Sequence, residues 1–289
     1  MSVIVSEPQV QQEKRQVAVV TPLYRLPLAA DEEISMRHLR EYLGRFDRFL
    51  VGPADLLRSE RVAKEYGDFA QREFPERYFT GTQGYSQLLV KEEFYRAFVE
   101  YEYILIYQLD CLVFSSGLDG WCEAGWDYVG APWFKDYRED TSEGFWAVGN
   151  GGFSLRRVAR AIEVLSSKRL LDDPKVRGEK TEKFGAVPAL RRTVVTLRRF
   201  LLERGYHNTV GWLVEELGKY PNFHEDLFWS FYARSVVPEF KIATPQEAVR
   251  FSFEMAPGYC FQANGERLPF GCHAWSKYDR EFWKPFLLK

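Results

Sequence analysis

What the sequence has little of narrows it first. Its four cysteines, Cys111, Cys122, Cys260 and Cys272, have neither CxxC spacing nor the density of a disulfide-stapled secreted domain, so free thiols in a reducing compartment are expected. The formal net charge is −2 over 289 residues, and nothing in that balance points to nucleic acid as a partner. No run of about 18 apolar residues exists to span a membrane. The opening MSVIVSEPQVQQEKRQ lacks the apolar core of a signal peptide. The expectation is a cytoplasmic protein with a flexible tail over residues 1–16. The four histidines form no HxxxH or HExxH pattern, against a zinc hydrolase. G-x-S-x-G, a recognisable nucleophile cysteine and internal repeats are absent as well.

What is present is apolar mass and alternation of elements. Hydrophobic residues make up 46% and aromatics 16%, enough to bury a substantial core in a single domain over residues 17–289. VAVVTPLY (17–24) and RFLVGP (48–53) read as parallel strands, with the helical period of DEEISMRHLREYLG (31–44) between them. Helical stretches at 55–66 and 84–99 lead into YEYILIYQLDCLVF (101–114), an apolar strand. WDYVGAPW (126–133) and GNGGFSLR (149–156) then bracket a polar loop. This alternation predicts an α/β fold, a mostly parallel sheet with helices on both faces. A basic helical insert is expected over 166–219, where residues 166–204 hold eleven Lys/Arg against five Asp/Glu. It reads either as a solvated insert or as a peripheral contact with an anionic membrane surface or acidic acceptor.

Four stretches carry chemistry. Gln108 and Asp110 share one face if their strand begins near Tyr103, and there they would hold a metal or a ribose; the alternative is a strand-end turn. GNGG (149–152) permits close approach of backbone to a ligand, or is a tight turn. In NFHEDLFW (222–229), Asn222 and Glu225 fit a capping box. That leaves Asp226 in a first helical turn, where the dipole favours an anion able to act as a general base. His273 follows a Pro-Phe-Gly turn and is either structural or a ligand.

In their order, QLD (108–110), GNGG, HED (224–226) and His273 resemble the pattern of GT-A-type glycosyltransferases. VAVVTPLY, ISMRHLREYLG, YEYILIYQLD, DYVGAPW, VGNGGFSLR and HEDLFW are similar to a mainly microbial family with a glycosyltransferase-like domain of unknown function. The resemblance covers roughly residues 17–280. It implies a GT-A-like, Rossmann-type mixed sheet and a nucleotide-sugar donor whose sugar passes to a glycan or other hydroxyl acceptor. It further implies that Asp110 and His273 hold Mn²⁺ or Mg²⁺ at the diphosphate. Gln108 stands where the pattern has an acid, and a neutral amide there would touch the ribose. Without a metal, Arg156 and Lys277 would supply the positive charge. Thr21 and Tyr24 would meet the base, and Tyr85 and Ser86 the donor. Asn150, Gly151 and Gly152 would line the sugar site, with Trp133, Trp146 or Trp229 stacking on sugar faces. Asp226 would deprotonate the acceptor, with inversion, and Glu225 would orient the sugar or cap the helix. The competing expectations are a nucleotidyltransferase of similar fold and a non-catalytic nucleotide- or sugar-binding protein.

Overall fold

The computed structural model describes residues 14–135, 141–167, 209–219 and 223–288. Most of the expected insert, including the basic face read as a membrane contact, lies outside the described residues, as do Asn222 and residues 1–13. Arg15 and Gln16, expected in the tail, open the first strand instead. The Arg15 side chain is anchored by Asp47 at 2.9 Å, and its backbone N–H donates to Glu100 O.

Four strands run in parallel: β1 (Arg15–Pro22), β2 (Asp47–Gly52), β3 (Ala70–Glu73) and β4 (Tyr101–Tyr107). Five further strands follow, β5 (Leu112–Val113), β6 (Tyr128–Val129), β7 (Ala131–Phe134), β8 (Phe145–Gly149) and β9 (Phe153–Arg157). The main sheet has the order β3-β2-β1-β4-β9-β6, with β9 antiparallel to β4 and to β6. Side-chain alternation divides its apolar residues between two cores. Ala18, Val20, Ile104 and Ile106 face one side, and Val17, Val19, Tyr103 and Leu105 the other. The first core is covered by α4 (Thr82–Leu88), α5 (Glu92–Arg96), α7 (Val158–Ser166), α8 (Thr209–Leu217) and α9 (Glu225–Phe231). The second is covered by α1 (Ala30–Leu43), α2 (Ala54–Leu57), α3 (Glu60–Glu65) and α6 (Leu118–Glu123). This is the mostly parallel mixed sheet between two helical layers that the sequence led one to expect. The stretches at 55–66 and 84–99 are each two helices, the first split at Ser59, whose Oγ accepts from Val62 N–H at the start of α3.

Three departures matter for the site. β3, AQRE, is an edge strand without apolar alternation, so the sequence offered no signal for it. β4 ends at Tyr107, so Gln108 and Asp110 lie in a turn closed by Cys111 N–H donating to Gln108 O, not on one strand face. A second sheet joins β10 (Ser252–Phe253), β11 (Gly271–Cys272) and β5, with β11 antiparallel to β5 and parallel to β10. That small sheet carries His273 back to the end of β4.

Candidate functional site around a glycine turn

The turn Gly149–Gly152 links the hairpin strand β8 to β9 and lies beside the carboxyl end of β4. Register pairs Tyr107 with Phe153, and Gly152 O accepts from Gln108 N–H at 2.9 Å and from the Cys111 thiol at 3.2 Å. The left-handed residue is Asn150, at φ 75°; its Oδ1 accepts from the N–H groups of Gly152 and Phe153 and so closes the turn. The glycines answer to crowding. A Cβ would stand 1.9 Å from Glu225 Oε1 at Gly151 and 2.1 Å from His273 Nε2 at Gly152. At Gly149 it would stand 1.8 Å from the Trp133 ring. A carboxylate and an imidazole therefore press on two adjacent glycines.

On the Gly151 side, α9 begins at Glu225 with His224 as its N-cap, two positions beyond the expected cap Asn222, so Glu225 is the first helical residue and not the third. Asp226 Oδ2 accepts from the N–H groups of Asn150 (3.2 Å) and Gly151 (3.1 Å), and Oδ1 from Leu227 N–H (2.9 Å). Burial nevertheless outweighs these bonds and nearby His224 and Arg156, and raises the Asp226 carboxyl above the usual carboxylate range. Glu225 is 3% exposed and paired with Arg156 Nη2 at 2.8 Å. Burial, helped by the Asp226 charge, pushes it up to about 7 against the pull of Arg156. Arg156 is itself enclosed, donating to Tyr95 OH, Ser154 Oγ and Gly151 O as well. It is committed to Glu225 and the core, which removes it as the expected stand-in cation for a diphosphate.

On the Gly152 side stands His273. Its Nδ1 lies 2.9 Å from Glu254 Oε1, and its Nε2 lies 3.3 Å from Asp110 Oδ1 and 3.4 Å from Gln108 Oε1. Burial disfavours the charged ring, but Asp110 and Glu254 overcome it and hold the imidazole protonated well above its ordinary range. Burial likewise works against the Asp110 carboxylate, and the His273 charge reverses that and lowers it. Asp110 Oδ1 is buried, with His273 Nε2 beside it at 3.3 Å. Ligand atoms of Asp110, Cys111 and His273 lie within 4.8 Å of one another. The Cys111 thiol is buried, pushed well up by that burial and engaged with Gly152 O, which leaves a carboxylate and an imidazole nitrogen. That donor pair, with an amide oxygen beside it, fits Mn²⁺ or Mg²⁺.

The remaining candidates separate. A cleft of about 540 Å³ opens at the ends of β1–β3, lined by Tyr24, Pro53, Asp55, Leu56, Phe74 and Glu76 among others, a size that suits a small ligand. Tyr24 is 49% exposed there and feels the Asp110 charge, which helps burial and Glu32 raise its phenol. Thr21 is fully buried at the end of β1. Tyr85 and Ser86 are buried on α4, and the Tyr85 phenol, raised by burial, lies in the field of Arg156 and Glu225, on the acid side of the turn. Trp229 is core, donating to Leu89 O, and Trp133 is buried over Gly149; Trp146 is 38% exposed. Lys277 is exposed and within the influence of Asp110. Glu254 is the site residue that sequence reasoning missed, since FSFEMAP contains no pattern to mark it.

A family's sequence profile matches residues 68–273, a span that ends on His273. The chain belongs to that family, described as "Protein of unknown function (DUF5672)". In this DUF5672 protein only Thr21, Tyr24 and Lys277 among the candidate residues fall outside the matched span. No curated protein matches it. Among solved structures it is similar to the glycosyltransferase GlyE of Streptococcus pneumoniae, at 15% identity and TM-score 0.40, over 94% of this chain and 60% of that one. The chain thus spans 60% of GlyE's length. It is similar to an active-site mutant of LgtC at 13% identity and TM-score 0.47, over 94% and 96%. It is also similar to 4-diphosphocytidyl-2C-methyl-D-erythritol synthase of Anaerococcus prevotii at 12% and 0.35, over 58% and 83%. These likenesses concern the course of the backbone alone.

Proposed function

We propose that the protein is a glycosyltransferase that moves a sugar from a nucleotide-sugar donor to an acceptor hydroxyl, with inversion. The observation that carries this reading is the convergence on one glycine turn of a half-buried, raised carboxylate and a lowered carboxylate beside an imidazole. The 540 Å³ cleft that Tyr24 lines would take the nucleotide. Asp110 and His273 would hold the divalent cation, which when bound neutralises charge on the departing diphosphate. Asp226 serves as base: its raised carboxyl is a stronger proton acceptor than an ordinary aspartate once ionised, and three backbone N–H groups fix its orientation. Glu225 holds the first turn of α9 against Arg156 and keeps the neighbouring carboxylate in register. A single base acting directly on the acceptor gives single displacement.

The test is a screen of UDP-, GDP-, CMP- and dTDP-sugars, with and without Mn²⁺, by thermal shift and by release of the free nucleotide in the presence of simple glycan acceptors. Nucleotide release that needs both donor and acceptor supports the proposal. Pyrophosphate release from a nucleoside triphosphate would replace it with nucleotidyl transfer, and stabilisation without turnover would leave a binding protein. A shift that EDTA does not change removes the metal assignment.

A further inference from the structure

Glu254 belongs to no motif, yet the fold delivers it to the cation side of the turn. β10 and β11 run parallel with Phe253 opposite Cys272, so the next residues, Glu254 and His273, leave the two strands side by side. The backbone N–H of His273 donates to Phe253 O at 2.9 Å and fixes the main chain, while Glu254 Oε1 meets Nδ1 at 2.9 Å. A carboxylate can only accept, so Nδ1 is the nitrogen that carries a hydrogen. In the neutral ring Nε2 is then left with its lone pair, facing Asp110 Oδ1 at 3.3 Å and Gln108 Oε1 at 3.4 Å. In the charged ring Nε2–H donates to Asp110; where a divalent cation takes the place of that hydrogen, Nε2, Asp110 Oδ1 and Gln108 Oε1 converge on it as three donor atoms. Neighbouring ligands of an octahedral ion with bonds of about 2.1 Å stand about 3.0 Å apart, close to these spacings. Gly152 leaves no room for the ring to retreat, because even a Cβ there would meet Nε2.

The geometry points to Glu254 as the positioning residue of this cation site. It sets the tautomer of His273, so that Nε2 is the atom offered to a divalent cation shared with Asp110. The inference rests on the reading of Asp110 and His273 as a metal pair. The backbone bond and the glycine decide where the ring lies, and Glu254 decides which nitrogen is free.

The experiment measures Mn²⁺ affinity of the full chain by titration calorimetry for wild type, E254A and E254Q, with folding checked by circular dichroism. E254A is expected to bind Mn²⁺ 10–100-fold more weakly, the loss typical when the hydrogen-bond partner of a metal-bound histidine is removed. E254Q, whose amide oxygen still accepts from Nδ1, is expected to keep most of the affinity. In Mg²⁺-loaded wild type, ¹⁵N shifts should show His273 protonated on Nδ1, a check that needs no variant. A folded E254A with wild-type affinity, or a wild-type ring protonated on Nε2 with Mg²⁺ present, overturns the positioning role and leaves the metal pair standing. A wild-type chain that binds no Mn²⁺ overturns the metal pair and this inference with it.

Discussion

Gly151 and Gly152 are neighbours, yet the carboxylates on their two sides behave in opposite ways. On the Gly151 side, Glu225 and Asp226 are raised, because burial outweighs a guanidinium and several backbone N–H groups. On the Gly152 side, burial also works against the Asp110 carboxylate, but the imidazole that stands against it overcomes that and lowers it. A raised carboxylate takes up a proton readily, and a lowered one stays anionic and holds a cation. One turn thus separates a centre suited to proton transfer from a centre suited to charge neutralisation. The difference comes from the partner: Arg156 is a permanent cation locked into the core, whereas the imidazole can surrender its proton to make way for a metal.

Breaking the acid side at its most reactive point should have the largest effect. In Asp226→Asn the amide oxygen can still accept from Asn150 and Gly151, so the turn stays closed while the base is lost. Transfer should fall by about 10²–10⁴ in kcat with donor affinity unchanged. If donor affinity and melting temperature fall along with rate, Asp226 is a clamp on the turn and not the base. Next comes Arg156→Met, which strands Glu225 without its cation. Loss of one partner of a buried pair destabilises by about 3–5 kcal/mol, readable as a shift in the urea midpoint. Adding Glu225→Leu should recover part of that loss, since the unpaired charge goes with it. Equal loss in both variants would mean that packing, and not charge, is what Arg156 supplies.

The parts of this arrangement that the sequence made legible are those with local patterns. VAVVTPLY is a strand because its residues are apolar on both faces, and GNGG and HED announce a turn and a helix start by composition. What was not legible depends on register between distant segments. Glu254 meets His273 only because two strands of two residues each pair in parallel. Arg156 and Arg157 alternate in β9, and the sequence alone does not say which of two adjacent arginines points inward; the structure buries Arg156 and leaves Arg157 partly exposed. Gln108 and Asp110 were expected on one strand face, but β4 stops short of them; they still share His273, through the turn rather than through the pleat.

The contrast in carboxyl behaviour has a signature in stability against pH. Glu225, held near 7 in the fold and near 4.3 in the unfolded chain, keeps its proton in the native state where the unfolded state has released it. Its contribution is fully present below the unfolded value and declines as pH rises to about 7, by on the order of 3 kcal/mol. Urea unfolding of wild type at intervals from pH 5 to 7.5 should show this decline. Glu225→Gln should flatten it, with a residual slope from Asp226, which is raised as well. Identical slopes would place Glu225 as an ionised partner of Arg156 throughout.

The smallest change tests whether the two centres are independent. A methyl group at Gly151 collides with Glu225 Oε1, and one at Gly152 with His273 Nε2 and Cε1. Overpacking of this kind costs about 1–3 kcal/mol, and the residue that must yield differs in the two cases. Gly151→Ala should lower the unfolding midpoint and move the pH dependence, because Glu225 is displaced from Arg156, while Mn²⁺ affinity is preserved. Gly152→Ala should weaken Mn²⁺ binding, because the ring is pushed away from Asp110, and leave the pH dependence of stability as it was. Should either substitution disturb both readouts equally, the turn is a mechanical link between the two centres: Asp226 grips the N–H groups of Asn150 and Gly151, and Gly152 O receives Gln108 and Cys111, so a shift at one end would be carried to the other.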